Sequence, residues 1–444
     1  MGEGSIEAPI RHAISWQHPD FTDHKKLDVE MRRQFDVCHG CRRCFNLCDS
    51  FPRLFDLIDG SESGELDTVD SKEFKPVVDA CTLCDMCFLT KCPYVPPHEF
   101  NIDFPHLMLR ARAADFQKVG APFGVKQLIQ TDRNGKLAGI WPGFVNWVTG
   151  CDNRLTRPIL ERVLGVHRDA VLPKFHKYKL TRNSGTEKGN SPGTFANGRK
   201  AVLYATCFTN YNNPDIGVSA QAVLAKNQVE TEVVYNRCCG MPQLEQGDIA
   251  AVAKAAKATA LEFSSWIDGG YDVIALTPSC ALMLKYEWPL IVENDANVKK
   301  LSAATFDISE YIVGIAKTEG LANGLSALDG GITMHIACHA RAQNIGRKGA
   351  EMLQLIPDTE ITVIERCSGH GGSWGIMKNT FEVGIKVGKP VARKAAKANS
   401  TYIVSECPLA RDHILQGIER LGETNTQVSS AQHPVQLLAK AYGI

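Results

Sequence analysis

The chain has 444 residues, with Lys+Arg and Asp+Glu both at 49, so its formal charge is zero and nothing in the balance argues for nucleic acid or an acidic lipid surface. Its length allows two or three domains, each with a sizeable core, and no uncharged apolar run reaches the roughly 18 residues that would suggest a membrane span. The opening MGEGSIEAPIRHAISW has no basic region followed by an apolar stretch, which predicts no secretory signal and a cytoplasmic protein. In that reducing compartment sixteen tightly spaced cysteines point to metal ligation rather than to a disulfide framework.

Eight cysteines fall before residue 115, in two groups separated by the acidic stretch Asp59 to Asp70. Cys38, Cys41, Cys44 and Cys48 form C-x2-C-x2-C-x3-C. Cys81, Cys84, Cys87 and Cys92 form C-x2-C-x2-C-x4-C, followed by Pro93. A cubane needs four thiolates, and three cysteines spaced by two residues let one loop wrap three corners. In two-cluster ferredoxins the last cysteine of each run serves the other cluster. The expected ligand sets are therefore Cys38, Cys41, Cys44 with Cys92, and Cys81, Cys84, Cys87 with Cys48. Zinc is the competing occupant, but structural zinc sites favour two well-separated pairs. No proline follows Cys48, and the second run has one extra residue before Cys92. The spacer with its Phe, Leu and Ile suggests a helical 2×4Fe-4S ferredoxin domain over residues 1–115 rather than a compact β-rich one.

Residues 116–180 read as a helical connector. Ile159, Leu160, Val163 and Leu164 fall on one helical face, with Pro158 suited to the first turn. Trp141, Phe144 and Trp147 recur at i, i+3 and i+6, a spacing that suits core, subunit contact or a membrane interface. The Gly-, Ser-, Asn- and Thr-rich stretch within 181–199 is expected to be a flexible linker.

Beyond it strands and helices alternate. KAVLYAT (200–206), TEVVYN (231–236) and YDVIALT (271–277) are predicted strands, with a helical pattern of Ile249, Val252, Ala256, Phe263 and Trp266 between the last two. GITMHIA (331–337), EITVIE (360–365) and TYIVSE (401–406) repeat that order. Two α/β repeats with parallel sheets, 200–318 and 319–444, follow, with a period of roughly 130 residues.

Six cysteines stand just past predicted strands: Cys207, Cys238 and Cys280 in the first repeat, and Cys338, Cys367 and Cys407 in the second. Ligands of parallel sheets bind at the carboxyl ends of strands. Each repeat therefore gathers thiols at one rim, and the first adds a neighbour in Cys238-Cys239-Gly240. Four thiolates there predict a further iron–sulfur cluster. The second rim, with three cysteines and His339 or His370 near in sequence, is either a weakened metal site or a docking surface. Buried apolar cysteines are the bland alternative at both rims.

Two ferredoxin runs followed by paired Cys-Cys-Gly repeats resemble the Cys-Cys-Gly domain iron–sulfur family. That family includes the C subunit of anaerobic glycerol-3-phosphate dehydrogenase, glycolate oxidase iron–sulfur subunits and the heterodisulfide reductase D subunit. The family's lone cysteine, Cys-Cys-Gly and closing C-x-x-C fall here on Cys207, Cys238-Cys239-Gly240 and Cys280, then on Cys338, Cys367-Ser368-Gly369 and Cys407. Met283, Ala410 and Ser368 stand where the family has cysteine, a departure from its five-cysteine noncubane ligand set.

The resemblance implies an electron-transfer subunit between a partner flavoprotein dehydrogenase and quinone or another acceptor, with no nucleic acid and no catalytic residue assigned. Two alternatives are a disulfide or thiol-substrate reductase working at the Cys-Cys-Gly site and an electron donor or scaffold for a rubrerythrin-like peroxide reductase. Gly369 to Gly375 lacks the spacing of a dinucleotide loop, so hydride chemistry is expected on another subunit. Arg42, Arg43, Arg237 and Arg366 sit beside cluster cysteines, where a cation favours the reduced state. Any membrane contact is expected to be peripheral, on the inner face of the cytoplasmic membrane.

Overall fold

The computed structural model describes residues 9–90, 92–183, 196, 198–423 and 428–444, so most of the 181–199 linker lies outside the described residues. The chain divides into two compact units, Met1–Pro122 with Pro242–Ala253, and Phe123–Met241 with Lys254–Ile444. No helix among the described residues is long and apolar enough to cross a membrane.

The first unit is helical. Asp23 caps the helix His24–Cys41 by accepting from Lys26 N–H at 2.9 Å, and Asp103 caps Phe104–Val119 through His106 N–H at 3.1 Å. Ser50–Asp59 buries Phe51, Leu54, Phe55 and Ile58 along one stripe. These side chains meet Phe35, Phe74 and Phe104, with ring centroids 4.6 Å apart for Phe51–Phe104 and 5.1 Å for Phe35–Phe74. The aromatic core sits behind the two cysteine loops.

The second unit carries two parallel sheets. The strands β1 (Lys200–Tyr204), β2 (Glu230–Val234), β3 (Asp272–Ala275) and β4 (Thr305–Asp307) pair in the order β2-β1-β3-β4. The second sheet, in the order β6-β5-β7, contains β5 (Ile332–His335), β6 (Ile361–Ile364) and β7 (Tyr402–Ser405). Leu203 of central β1 lies beside Val233 and Ile274, and Met334 of central β5 beside Val363 and Val404. Apolar runs buried on both faces are what parallel sheets require. Leu203, Ile274, Ile312, Met334, Val404 and Leu438 belong to one continuous core, so the two sheets share an interior.

Six strands match the sequence expectation to within two or three residues at each end, and β4 was not anticipated. It has three residues and ends at Asp307, whose carboxylate caps the helix Ile308–Thr318 in a capping box with Glu310. The connector helix Arg157–Leu164 turns part of its apolar face outward. Ile159 and Val163 are 62% and 54% exposed, whereas Arg157 is 2% exposed and donates to the carbonyls of Thr149, His167, Arg168 and Ala170 at 2.6–3.1 Å. Four carbonyl acceptors make the inward arginine the better satisfied choice. Trp141, Phe144 and Trp147 are also exposed.

Candidate metal centres

None of the sixteen cysteines is in a disulfide. In the first unit Cys38 and Cys41 end the helix His24–Cys41, and Arg42 turns the chain with φ 52°, presenting Cys44 back toward them. The second loop turns on Leu83 (φ 48°) and Asp85 (φ 60°), which flank Cys84. Left-handed residues are uncommon outside glycine, and two around one cysteine let Cys81, Cys84 and Cys87 wrap a common point. Arg11 holds this loop by bonding Asp85 at 2.8 and 2.9 Å and Asp103 at 2.9 and 3.1 Å. Arg112 donates to the carbonyls of Val78 at 2.8 Å, Glu245 at 2.9 Å and Cys81.

Cys38, Cys41, Cys44 and Cys92 line one pocket together with Arg43, Phe51, Phe55, Tyr94 and Ile102, and no carboxylate lines it. Burial first, and then the neighbouring thiols Cys92, Cys44 and Cys41, push Cys38 well above the ordinary thiol range. Burial lifts Cys92 to about 11. Cys48 is raised by burial and then by Cys84 and Cys81, and Cys87 by burial and then by the same pair. Four such thiols cannot ionise side by side without a compensating cation. An apolar pocket of soft donors with no carboxylate fits a multi-iron cluster.

At the first rim, Cys207 opens the helix Cys207–Tyr211, Cys238 and Cys239 follow β2, and Cys280 lies in Pro278–Leu282. The Sγ atoms of Cys207 and Cys238 are 3.8 Å apart, and those of Cys239 and Cys280 are 3.2 Å apart. Hydrogen bonds from Cys207 and then Cys239 hold Cys238 well below the usual thiol range. Cys207 and Cys239 are pushed well above it, first by their hydrogen bonds to Cys238 and also by burial. The rim therefore gathers four cysteines, of which Cys238 is the favoured thiolate. Trp288, fully buried, donates Nε1–H to the Cys239 carbonyl at 3.1 Å. A π-helical turn, Met283–Glu287, begins where a closing cysteine would stand.

Sequence reasoning missed Asp132 here. Its carboxylate accepts from Cys238 N–H at 3.0 Å and from the Tyr235 hydroxyl, fixing the Cys-Cys-Gly turn. Asp132 lies in the helix Thr131–Ala138, 106 residues before Cys238, so no local pattern announces it.

At the second rim, Cys338 opens the helix Cys338–Ala342, Cys367 follows β6 and accepts Gly369 N–H at 3.3 Å, and Cys407 caps Pro408–Arg420. Burial raises Cys367 and takes Cys407 to about 11. His335 bridges the Ser405 hydroxyl and the Arg366 carbonyl, both at 2.9 Å. Of the four arginines expected near clusters, Arg42 is committed to Asp59. Among the described residues one triad of His167, Asp169 and Glu382 has ligand atoms within 4.8 Å of one another. Arg420 pairs with both of its acids at 2.7 and 3.5 Å, so it is an ion-paired surface cluster.

Known proteins similar to this chain include subunits of a dehydrogenase and of a reductase. The chain is 24% identical over 319 residues to the C subunit of the anaerobic glycerol-3-phosphate dehydrogenase of Escherichia coli K12, covering 71% of this chain and 76% of that one. It is 25% identical over 262 residues to the B subunit of the fumarate reductase (CoM/CoB) of Methanothermobacter marburgensis, covering 57% of this chain and 48% of that one. An uncharacterised iron–sulfur protein of Methanocaldococcus jannaschii is 29% identical over 248 residues, covering 54% of this chain and 46% of that one. The family described as cysteine-rich domain matches residues 201–285 and 332–409, so the two parallel sheets and their thiol rims belong to the cysteine-rich, Cys-Cys-Gly, domain family.

Proposed function

We propose that the chain is the electron-transfer subunit of an oxidoreductase complex. The observation that carries this reading is the cavity lined by Cys38, Cys41, Cys44 and Cys92, thiols drawn from two separate runs. On this reading those four hold one 4Fe-4S cluster, Cys81, Cys84, Cys87 and Cys48 hold a second, and residues 1–115 form a helical ferredoxin-type domain. Cys207, Cys238, Cys239 and Cys280 hold a further iron–sulfur cluster. When bound, these groups supply one-electron chemistry. The chain's own residues position the thiolates through Arg11, Arg112, Asp132 and Trp288, and the apolar walls of Phe51, Phe55 and Ile102 exclude water.

Oxidation of a metabolite falls to a partner flavoprotein dehydrogenase, and electrons leave to quinone or another acceptor. Quinone access suits a peripheral position on the inner face of the cytoplasmic membrane. Trp141, Phe144 and Trp147 are 56–72% exposed, and residues 123–180 hold ten Lys or Arg against four Asp or Glu. Such a face suits an anionic bilayer surface. Anaerobic purification with iron, sulfide and zinc counted, followed by reduction with a flavoprotein, tests the function. Reducible cluster signals are expected; zinc in the N-terminal loops would end the reading.

The 3.2 Å approach of Cys239 and Cys280 favours a second reading, reduction of a disulfide substrate at the first rim. Turnover with an artificial donor that disappears in Cys239→Ala would establish it.

A further inference from the structure

The second rim has one thiol fewer than its counterpart, with Ser368 where the first has Cys239. Superposing the repeats on their cysteines pairs Cys207 with Cys338, Cys239 with Ser368, and Cys280 with Cys407. The same pairing turns Phe208 into His339, Met241 into His370 and Tyr286 into His413, so three histidines enter the rim that lacks cysteines. A random scatter of histidines would not follow the three rim cysteines in turn.

His413 lies in the helix Pro408–Arg420, one turn beyond Ala410, and helical side chains lean toward the N-terminus, here the end that carries Cys407. It is 6% exposed, and its Nδ1 donates to the Ser368 carbonyl at 2.8 Å. That bond leaves the lone pair on Nε2, which is buried and has no hydrogen-bond partner. An imidazole whose other nitrogen is tied to a backbone carbonyl is the usual arrangement of a metal-bound histidine. His370 Nε2 is likewise buried and unpartnered, and the two rings stand 6.1 Å apart. Trp374 Nε1 is a third buried, unpartnered nitrogen in the same loop segment. Cys367 already accepts a backbone N–H, as a ligand sulfur would.

We propose that the second repeat binds an iron–sulfur cluster of mixed ligation, with Nε2 of His370 and His413 joining Cys338, Cys367 and Cys407 in place of the thiolates missing at Ser368 and Ala410. The proposal rests on the reading of the chain as an iron–sulfur protein. Neutral imidazoles in place of thiolates reduce the negative charge on the cluster and raise its potential. The second rim is therefore the more oxidising of the two, placed to receive electrons from the first.

The test uses the full chain, produced anaerobically with and without nitrogen-15 histidine, and pulsed electron paramagnetic resonance of the dithionite-reduced protein. Directly bound imidazole nitrogen is expected on one cluster signal. His370→Ala and His413→Ala should abolish that coupling and lower iron by about one cluster's worth, with the N-terminal signals unchanged. His413→Cys, which restores a thiolate, should keep the iron, remove one nitrogen coupling and lower the midpoint potential. No nitrogen coupling on any signal overturns the proposal. So does zinc at this rim, or variants with the iron and spectra of the parent. Should the alanine variants fail to fold, His413→Cys decides alone, because an unchanged spectrum refutes ligation. Loss of the electron-transfer reading would look different, as an absence of reducible N-terminal signals in the parent protein.

Discussion

Replacing Gly388 with alanine sets helix propensity against packing. Gly388 lies inside the helix Phe381–Ala398, where alanine is intrinsically better by about 1 kcal/mol. A Cβ there would sit 2.2 Å from the Ser368 carbonyl oxygen and 3.0 Å from its carbon. Ordinary contact starts at 3.4 Å, so the helix and the Ser368–Gly369 turn must separate by about 1.2 Å. Gly384, one turn earlier, meets the Gly369 carbonyl in the same way, at 2.7 Å, so the turn is held against bare backbone along two helical turns. Overpacking of this kind costs about 1–3 kcal/mol, which offsets the propensity gain and leaves a net loss of up to about 2 kcal/mol. Gly314 is the control, since it lies in Ile308–Thr318 with nothing within 4 Å of its would-be Cβ. Gly314→Ala should stabilise by up to about 1 kcal/mol. Urea titration followed by circular dichroism reads both variants, with iron content as a second measure. Gly388→Ala should lower the midpoint of the transition that includes the second repeat and loosen the turn beside Cys367. A midpoint raised as much as in Gly314→Ala would refute the packing argument.

Asp132→Ala should destabilise the first rim by about 2–4 kcal/mol, because the Cys238 N–H and Tyr235 hydroxyl lose a charged acceptor, and Asp132→Asn should cost less. Denaturation together with iron content checks this; unchanged values in Asp132→Ala would remove its positioning role. Arg11→Ala leaves Asp85 and Asp103 without their shared cation and should cost about 3–5 kcal/mol, with loss of N-terminal iron. Asp103 is held to about 2, so its contribution is complete above the unfolded value of 3.8 and fades as pH falls from there toward 2; Arg11→Ala should move that acid limb to higher pH. In the second repeat, burial and then Asp307 raise Glu406 from 4.5 to about 8, and burial lowers His335 from 6.5 to about 4. Glu406 favours folding fully below 4.5 and loses that contribution as pH rises toward 8, whereas His335 contributes fully above 6.5 and loses its contribution as pH falls toward 4. Relative to the parent, Glu406→Gln should therefore gain stability progressively from pH 4.5 to pH 8 and hold that gain above it, and a pH–stability curve parallel to that of the parent would contradict it.

What the sequence revealed and what it hid divide along a physical line. β1, β3, β5 and β7 announced themselves because runs buried on both faces leave an apolar signal, and the half-buried β2 and β6 because they are rich in β-branched residues. The cysteine groups were visible because ligand geometry is written in local spacing. β4 escaped because three residues carry no periodicity and its last residue serves a helix cap. Asp132 and His413 escaped because their roles depend on where a helix docks, and neither stands next to a cysteine in the chain. The apolar stripe of Arg157–Leu164 left its orientation open for a related reason: amphipathicity names two faces but does not say which is turned inward, and here four carbonyls accept from an inward Arg157.

The shared interior of the two sheets bears on how such a chain could diverge. With Leu203 and Ile274 packed in the same apolar mass as Met334 and Val404, deleting either half would strip the other of its backing and expose a large greasy surface. Once a duplicated segment had fused in this way, neither copy was dispensable as scaffold, even where its chemistry drifted. The second half can therefore carry serine opposite Cys239, and histidines opposite Phe208, Met241 and Tyr286, while its strands still serve as scaffold for the first.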